Sequence, residues 1–260
     1  MEDEQLHIDF EEQPPAHGKR VYVYFGILAV VLLSIFFVKA KWQDHVIVTQ
    51  VSVEGTSILT KEEVVRLMKL PPRVSMYDLD LTALQRNILS NPFVKNVVVQ
   101  RDAPSQLNVI IEERVPAALL AGDELYYIDN EGVVLPYIAS SEAYDIPVIS
   151  GADSISHITT GMKILNNDIR EALEIIESAK AASEEIFHAI SEIKLRKGHD
   201  IVCYSFESGL PIIFGKGDVV QKIVKLDAFW QKFMQNSDPR GIQYIDIRYA
   251  DQVVVSRKNS

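Results

Sequence analysis

The sequence contains a single cysteine, Cys203, among its 260 residues. One cysteine excludes an intrachain disulfide and any zinc site built from cysteines. Glycine and proline number only 12 and 11, too few for a fibrous or low-complexity chain. Positive charge is also scarce, because 26 Lys and Arg stand against 36 Asp and Glu, giving a formal net charge of −10. We therefore expect no nucleic-acid partner, since phosphate contact needs clustered Lys and Arg.

Motifs for catalysis, metals and phosphates are missing as well. The six histidines show no ligand spacing, and neighbouring glutamates such as Glu112-Glu113 diverge on a strand, so they form no acid/base pair. The segment 214–218 resembles a phosphate loop but lacks its spacing, and a strand-to-helix turn with Asp218 near the helix start explains it better. Cys203 lies in an alternating strand pattern typical of a core position. The sequence predicts no enzyme, no metal and no cofactor.

A long apolar run lies near the N-terminus, with 18 uncharged residues from Val21 to Val38. As a helix it would span about 27 Å, close to the thickness of the hydrocarbon layer of a bilayer. A buried core helix of this length would carry a polar stripe, and a cleaved signal peptide usually has a shorter apolar region. We therefore predict a retained transmembrane helix over residues 21–40, which makes the lipid bilayer a partner.

The flanks of this run bear on its orientation. Lys19 and Arg20 precede it and Lys39 and Lys41 follow it, so the local charge is balanced, but large domains translocate regardless of charge. Residues 1–20 are acidic and contain two consecutive prolines, a composition typical of disorder. We expect 1–20 to be a disordered cytoplasmic tail, with the large C-terminal part outside the cytoplasm.

Residues 46–114 show strand and helix patterns in the order β-α-α-β-β, and we predict one domain here. Thr60 and Glu63 form a capping-box pattern that opens the first helix. A sheet covered by two helices buries one modest core. The face of the last strand that points to this core carries Leu107, Val109 and Ile111.

Residues 115–257 are predicted to form a mainly β domain with two amphipathic helices. One helical pattern covers 162–190, and the second runs from Val219 to Phe233. A hairpin pattern covers 125–137, and three short strands lie between the helices. The closing segment, Tyr244-Ile245-Asp246-Ile247-Arg248-Tyr249, is predicted to be a strand. The fold class is therefore α+β: a single transmembrane helix, a β-α-α-β-β domain, and a mainly β domain with flanking helices.

Several short segments follow the predicted anchor in a fixed order. They are Val53-Glu54-Gly55, Asn91-Pro92-Phe93-Val94-Lys95, Val99-Gln100-Arg101 with Pro104, Glu112-Glu113-Arg114-Val115-Pro116-Ala117, Ile146-Pro147-Val148-Ile149-Ser150-Gly151 and the terminal Asp246-Ile247-Arg248-Tyr249. In this order and behind a lone anchor, they resemble the POTRA domain and, across residues 20–257, the FtsQ/DivIB family of bacterial division proteins. This resemblance implies a non-enzymatic scaffold of the division septum that bridges early and late division proteins. The implied partners are FtsB- and FtsL-type single-pass proteins and other septal membrane proteins. The implied location is the cell (inner) membrane, as a single-pass type II protein.

The end of the chain is the predicted partner-binding site. A domain that closes with a strand exposes unpaired backbone groups along that edge, to which a partner segment can add. Two alternatives stay open, because Asp246 and Arg248 can form a simple ion pair and Tyr249 can belong to the core. The family resemblance favours a partner contact for Tyr249. The predicted partner-binding residues are Arg248, Tyr249, Val253, Val255, Ser256 and Arg257.

A rival hypothesis keeps the POTRA assignment but changes the class of protein. It makes the chain a chaperone-like module of outer-membrane protein assembly or secretion. Such proteins carry several POTRA repeats or a long series of amphipathic barrel strands, and this sequence shows one copy and no such series.

Overall fold

The computed structural model describes residues 18–43, 46–138, 144–152, 155, 157–198, 200–233 and 241–257. Within them the chain forms two compact units. One comprises Leu70–Asp80, Gln100–Asn108 and the described residues before Val53, and the other comprises Val53–Lys69, Leu81–Val99 and the described residues from Val109 onward. Most of the tail predicted over residues 1–20 lies outside the described residues.

The first helix, α1, runs from Gly18 to Gln43. It therefore begins before the predicted boundary at residue 21, and residues 18–20 are helical instead of disordered. Every described side chain on it, from Tyr22 to Phe37, is exposed. None of the helices in the described residues combines the length and the apolar character that a membrane span requires.

The next elements follow the predicted order β-α-α-β-β. They are β1 (Gln50–Glu54), α2 (Lys61–Met68), α3 (Leu81–Leu89), β2 (Val94–Asp102) and β3 (Gln106–Glu113), and the three strands form a sheet in the order β1-β3-β2. The capping box is confirmed, because the Thr60 side chain accepts a hydrogen bond from the Glu63 N–H while Glu63 accepts one from the Thr60 N–H. The predicted core face of β3 is buried throughout.

In the first compact unit, residues 46–49 are held by backbone and side-chain hydrogen bonds. The Met76 N–H donates to the Val46 carbonyl at 2.7 Å, and the Thr49 N–H donates to the Ser105 carbonyl at 2.9 Å. The Arg101 guanidinium donates to the Met76 carbonyl at 2.8 Å and to the Leu79 carbonyl at 2.7 Å. The guanidinium thereby satisfies two carbonyls that have no strand partner in this irregular segment.

In the second unit, the turn after β1 is fixed by Gly55 and Glu113. Gly55 has φ +83°, and a Cβ there would lie 2.0 Å from the Ile111 carbonyl oxygen, so only glycine fits. The Glu113 carboxylate accepts hydrogen bonds from the N–H groups of Ser57, Ile58 and Leu59, each at 2.8 Å. Burial raises the pKa of Glu113, but these N–H donors outweigh it and the net pKa lies below its ordinary value.

The remaining strands build one nine-stranded mixed sheet in the order β12-β11-β10-β9-β8-β7-β4-β5-β6. The strands are β4 (Pro116–Ala121), β5 (Leu125–Asp129), β6 (Val134–Pro136), β7 (Val148–Ser150), β8 (Ile190–Leu195), β9 (Ile201–Ser205), β10 (Pro211–Ile213), β11 (Ile242–Asp246) and β12 (Val254–Arg257). Antiparallel pairs join β4 to β5, β5 to β6, β8 to β9, β9 to β10 and β11 to β12, and parallel pairs join the others.

Helices α4 (Asn167–Ala182), α5 (Glu184–Ala189) and α6 (Val219–Phe233) contribute their apolar faces to the core of this sheet. The predicted core cysteine, Cys203, is fully buried, and burial raises its pKa to about 12. A fully buried apolar side chain stabilises a fold by about 1.5–3 kcal/mol. The largest fully buried side chains of this core are Phe214, Leu120, Ile128, Ile149, Ile169, Ile175 and Ile186.

The prediction of one long helix over 162–190, and with it of only two helices in this region, is wrong. Asn166 has extended dihedral angles and the helix begins only at Asn167, while Leu165, inside the predicted helix, is 89% exposed. Ser183 has extended dihedral angles, and its side chain accepts from the Ile186 N–H, so it ends α4 and caps α5. A cap side chain competes with continued helix at both positions, which the apolar spacing alone does not reveal.

We predict that Asn166→Ala lowers the free energy of unfolding by about 0.5–2 kcal/mol. The Asn166 side chain accepts hydrogen bonds from the N–H groups of Asp168 at 2.8 Å and Ile169 at 3.2 Å, and alanine leaves both donors without it. Chemical denaturation measures the change. Asn167→Ala, at an exposed neighbouring position, is the control and should change stability by at most about 0.5 kcal/mol. An equal loss in both variants would contradict the assigned helix start.

Candidate partner-binding edge

The six predicted partner-binding residues lie between β11 and the end of β12. β11 pairs with β10 on one side, through Ile212↔Ile245 and Ile213↔Asp246, and with β12 on the other. β12 is the last strand of the sheet, and no strand of the described residues pairs with its outer side. The predicted free edge is therefore present on β12, four residues long.

The register between β11 and β12 is antiparallel and contains one irregularity. Tyr244 pairs with Ser256, and Asp246 pairs with Val254, while the register shifts between Ile242 and Tyr244. A shift of this kind bends the strand and increases its twist. The extra residue is on β11, so the bend falls on β11, and β12 offers a short edge of four residues beside it.

The predicted continuous strand from Tyr244 to Tyr249 is wrong, because β11 ends at Asp246. Ile245 and Ile247 are fully buried, whereas Tyr249 is 49% exposed. The interpretation of Tyr249 as a core residue therefore finds no support in its burial. The connection 247–253, which carries Arg248 and Tyr249, runs outside the strands.

An ion pair fixes the start of this connection. The Arg248 guanidinium donates to the two carboxylate oxygens of Asp246, with Nε–Oδ1 at 3.0 Å and Nη2–Oδ2 at 2.7 Å, and the Arg248 N–H donates to Oδ1 at 3.1 Å. These hydrogen bonds hold the pKa of the buried Asp246 below its ordinary value and raise the pKa of Arg248. The ion pair between Asp246 and Arg248, one of the two alternatives from the sequence, is therefore present. A second carboxylate, that of Asp200, lies 3.9 Å from the Arg248 guanidinium.

The stem of Arg248 lies against Gly215. Gly215 has φ +70°, and a Cβ there would lie 2.8 Å from the Cγ of Arg248. The turn 214–218 therefore packs against this arginine. Lys216 within it forms an ion pair with Asp168 and lies 3.4 Å from Glu171, in agreement with the predicted strand-to-helix turn.

The other predicted site residues lie on or beside β12. Val253 and Val255 are partly buried and pack against the core of the sheet, so much of their apolar surface is already covered. Val254, which the sequence analysis did not select, is 36% exposed. The Ser256 hydroxyl lies 3.2 Å from the side-chain oxygen of Gln243, and Arg257 is exposed.

Sequence reasoning missed Lys225, a residue of α6. Its ammonium group donates to the carbonyl oxygens of Ile247 at 3.0 Å and Ala250 at 3.4 Å, and also to that of Tyr249. The apolar spacing of α6 predicts that position 225 does not face the core. It gives no sign that the lysine binds a connection more than twenty residues further along the chain.

A second polar cluster surrounds Arg114, at the junction of β3 and β4. Arg114 donates to Asp129 at 2.6 Å and Glu131 at 2.9 Å, and Lys95 lies 3.1 Å from Glu131. A cleft of about 370 Å³ lies beside this cluster. Each of these charges already has an opposite partner, which is the arrangement of a structural network. Among the described residues, no group of three His, Cys, Asp or Glu side chains is arranged to hold a metal ion.

We predict that the wild-type protein has a larger free energy of unfolding than Asp246→Asn at neutral pH and that this difference decreases in acid. A carboxyl whose pKa is lower in the folded state stabilises the fold above its unfolded pKa, and this contribution is lost as pH falls through the folded pKa. The difference between the two proteins should be constant above about pH 5 and should shrink below about pH 4. Urea denaturation at about pH 7, 5 and 3.5 tests this. Ser256→Ala, which changes no titratable group, is the control, and a difference that grows in acid would contradict the prediction.

Models of known protein families match almost the whole described chain after α1. A family model described as POTRA domain, FtsQ-type, matches residues 47–114, and one described as FtsQ/DivIB, C-terminal related, matches residues 115–256. The second model alone spans more than half of the chain.

Individual relatives agree with the family models. The Geobacter sp. (strain M21) cell division protein FtsQ is 27% identical over 199 residues, which are 76% of this chain and 72% of that protein. The Geotalea daltonii FtsQ is 28% identical over 80% of this chain and 74% of its own length, and the Rhodothermus marinus FtsQ is 26% identical over 88% and 84%. The family resemblance found in the sequence is confirmed, and the chain belongs to the FtsQ/DivIB family of cell division proteins.

Proposed function

We propose that this chain is a non-enzymatic, membrane-anchored scaffold of the division machinery that binds FtsB- and FtsL-type partners during septum formation. It would bridge early and late division proteins without turning over a substrate. Family membership supports the role in division. The observation that carries the partner-binding part is the free edge of β12 beside the exposed Tyr249.

Strand addition explains how such an edge would hold a partner. Each backbone hydrogen bond to an added strand contributes about 0.5–1.5 kcal/mol net, so an edge of four residues gives only modest affinity by itself. An aromatic side chain that becomes buried on binding adds much more, and tyrosine is among the residues that most often dominate interfaces. We therefore assign the backbone contacts to β12 and the side-chain anchor to Tyr249.

The charges at the edge favour a partner segment with an acidic group. Arg257 is exposed at the end of β12, and the Arg248 side chain remains 44% exposed despite its pairing with Asp246. A partner carboxylate can share a guanidinium that already binds one carboxylate, because the group has five donors. An exposed ion pair contributes only about 0–1 kcal/mol, so these arginines would mainly orient the partner.

The membrane part of the proposal rests on the sequence of α1. The uncharged run from Val21 to Val38 lies within this helix, and its described apolar side chains are exposed. Exposed apolar surface of this extent is unfavourable in water and favourable in lipid. We propose a cytoplasmic tail over 1–20, an anchor over 21–40, and a POTRA domain over 46–114 and a β domain over 115–257 outside the cytoplasm.

We predict that Tyr249→Ala weakens partner binding by at least about 1–2 kcal/mol while the thermal midpoint of the chain stays nearly unchanged. Binding of an FtsB-type chain encoded by the same genome, measured by titration, and a thermal melt provide the two values. Tyr77→Ala is the matched control, because Tyr77 is 46% exposed and lies in the POTRA-type region. If Tyr249→Ala unfolds the protein while its folded fraction binds normally, Tyr249 is a stability residue and the assignment is wrong.

We also predict that the chain, labelled with a fluorescent protein before residue 1, forms a band at mid-cell late in the division cycle. A uniform signal around the envelope, together with capture of outer-membrane assembly factors, would instead favour the rival chaperone-like function.

A fusion of alkaline phosphatase after Ser260 should be active, because the enzyme folds only outside the cytoplasm. An active cytoplasm-only reporter at that position would contradict the proposed topology.

A further inference from the structure

The connection 247–253 leaves the sheet at β11 and returns to it at β12, and it carries the exposed Tyr249. Its first residues are fixed by the sheet. The Ile247 N–H donates to the Ile213 carbonyl at 3.1 Å, and the Arg248 N–H donates to the Asp246 carboxylate at 3.1 Å. Neither bond reaches Tyr249 or the residues after it.

Lys225 supplies the hydrogen bonds that hold Tyr249 and the residue after it. Its ammonium group lies 3.0 Å from the Ile247 carbonyl oxygen and 3.4 Å from that of Ala250, and it also donates to the Tyr249 carbonyl. Within the described part of the chain, it is the only side chain that donates to the last two of these carbonyls. Three carbonyls that converge on one ammonium group impose a curved backbone on 247–250.

The position of Lys225 on α6 limits how far its ammonium group, and the three carbonyl groups bound to it, can move. Residues on either side of it, Ile223 and Leu226, are almost completely buried in the core of the sheet, so the helix backbone cannot shift freely. Lys222, one turn earlier, donates to the Lys216 carbonyl at 2.6 Å and thereby ties the preceding turn to the same helix. α6 therefore holds two connections: the turn that follows β10 and the connection that follows β11.

We propose that Lys225 is a positioning residue for partner binding, which holds the connection 247–250 so that Tyr249 and β12 present the binding conformation before a partner arrives. This inference rests on the proposed function of the β12 edge. A binding surface that is populated only part of the time binds with an affinity reduced by that fraction. A preformed connection avoids that loss and the cost of ordering the loop on binding.

The test uses the full chain and four variants. Lys225→Met removes the ammonium group and keeps the length of the side chain, and Lys225→Arg restores donors and charge. Lys194→Met, at an exposed position of β8, is the control for loss of one positive charge, and Gln221→Met is the control for a methionine on the exposed surface of α6. Hydrogen exchange of the amides of 249–257 is followed in the free proteins, and the affinity for the FtsB-type chain is measured for each.

In Lys225→Met we expect about tenfold faster exchange in 249–257, unchanged exchange in β8 and β9, and about tenfold weaker binding. Lys225→Arg should recover most of both properties, and the two controls should behave as wild type. Unchanged exchange in Lys225→Met would overturn the inference, and so would weakened binding in Lys194→Met to the same degree. If Tyr249→Ala abolishes binding while Lys225→Met binds as wild type, the proposed function stands and the inference fails. If the wild-type chain binds no such partner, the proposed function fails and the inference fails with it, whatever the exchange shows.

Discussion

The parallel pairing of β11 with β10 is the constraint on which the proposed partner-binding edge depends. Ile212 and Ile245 lie opposite each other in this pair, and both are fully buried together with Ile247. A shift of one residue in register would turn these side chains to the other face of the sheet, which the core does not tolerate. The pairing therefore fixes the register of β11, the strand from which the connection to β12 departs.

Several features of β12 disfavour pairing of this edge with unrelated strands. A long, flat, apolar edge strand invites aggregation, whereas β12 is four residues long, pairs with a strand that contains a register shift, and ends in an exposed arginine. Val255 in this strand and Val253 just before it pack against the core, whereas Val254 is exposed. Such an edge would select a partner that supplies both a strand and a pocket for Tyr249, rather than any exposed strand.

Much of the fold was predictable because it depends on local signals. The capping box at Thr60, the buried alternation in β3 and the core position of Cys203 each follow from a few neighbouring residues, and the structure confirms them. The break at Ser183 was not predictable from the apolar spacing, since the spacing continues across it and only the side-chain hydrogen bond ends the helix.

The candidate site was predictable in place but not in detail. Asp246-Ile247-Arg248-Tyr249 reads as a continuous strand, yet the Asp246 carboxylate takes the Arg248 N–H and guanidinium, and the chain leaves the sheet there. Tyr249 consequently departs from the buried face that alternation would assign to it. Lys225 contacts this segment only because the fold brings α6 beside it, and no local pattern encodes such a contact.

The most direct test of the account measures hydrogen exchange along the full chain with and without the FtsB-type partner. If the partner adds as a strand, amides in 254–257 should exchange markedly more slowly in the complex, because their outward-facing N–H groups acquire acceptors. Amides of the interior strands β8 and β9 should change little, since they are already paired. A partner that binds without any added protection in β12 would contradict the assignment of this edge as the binding site.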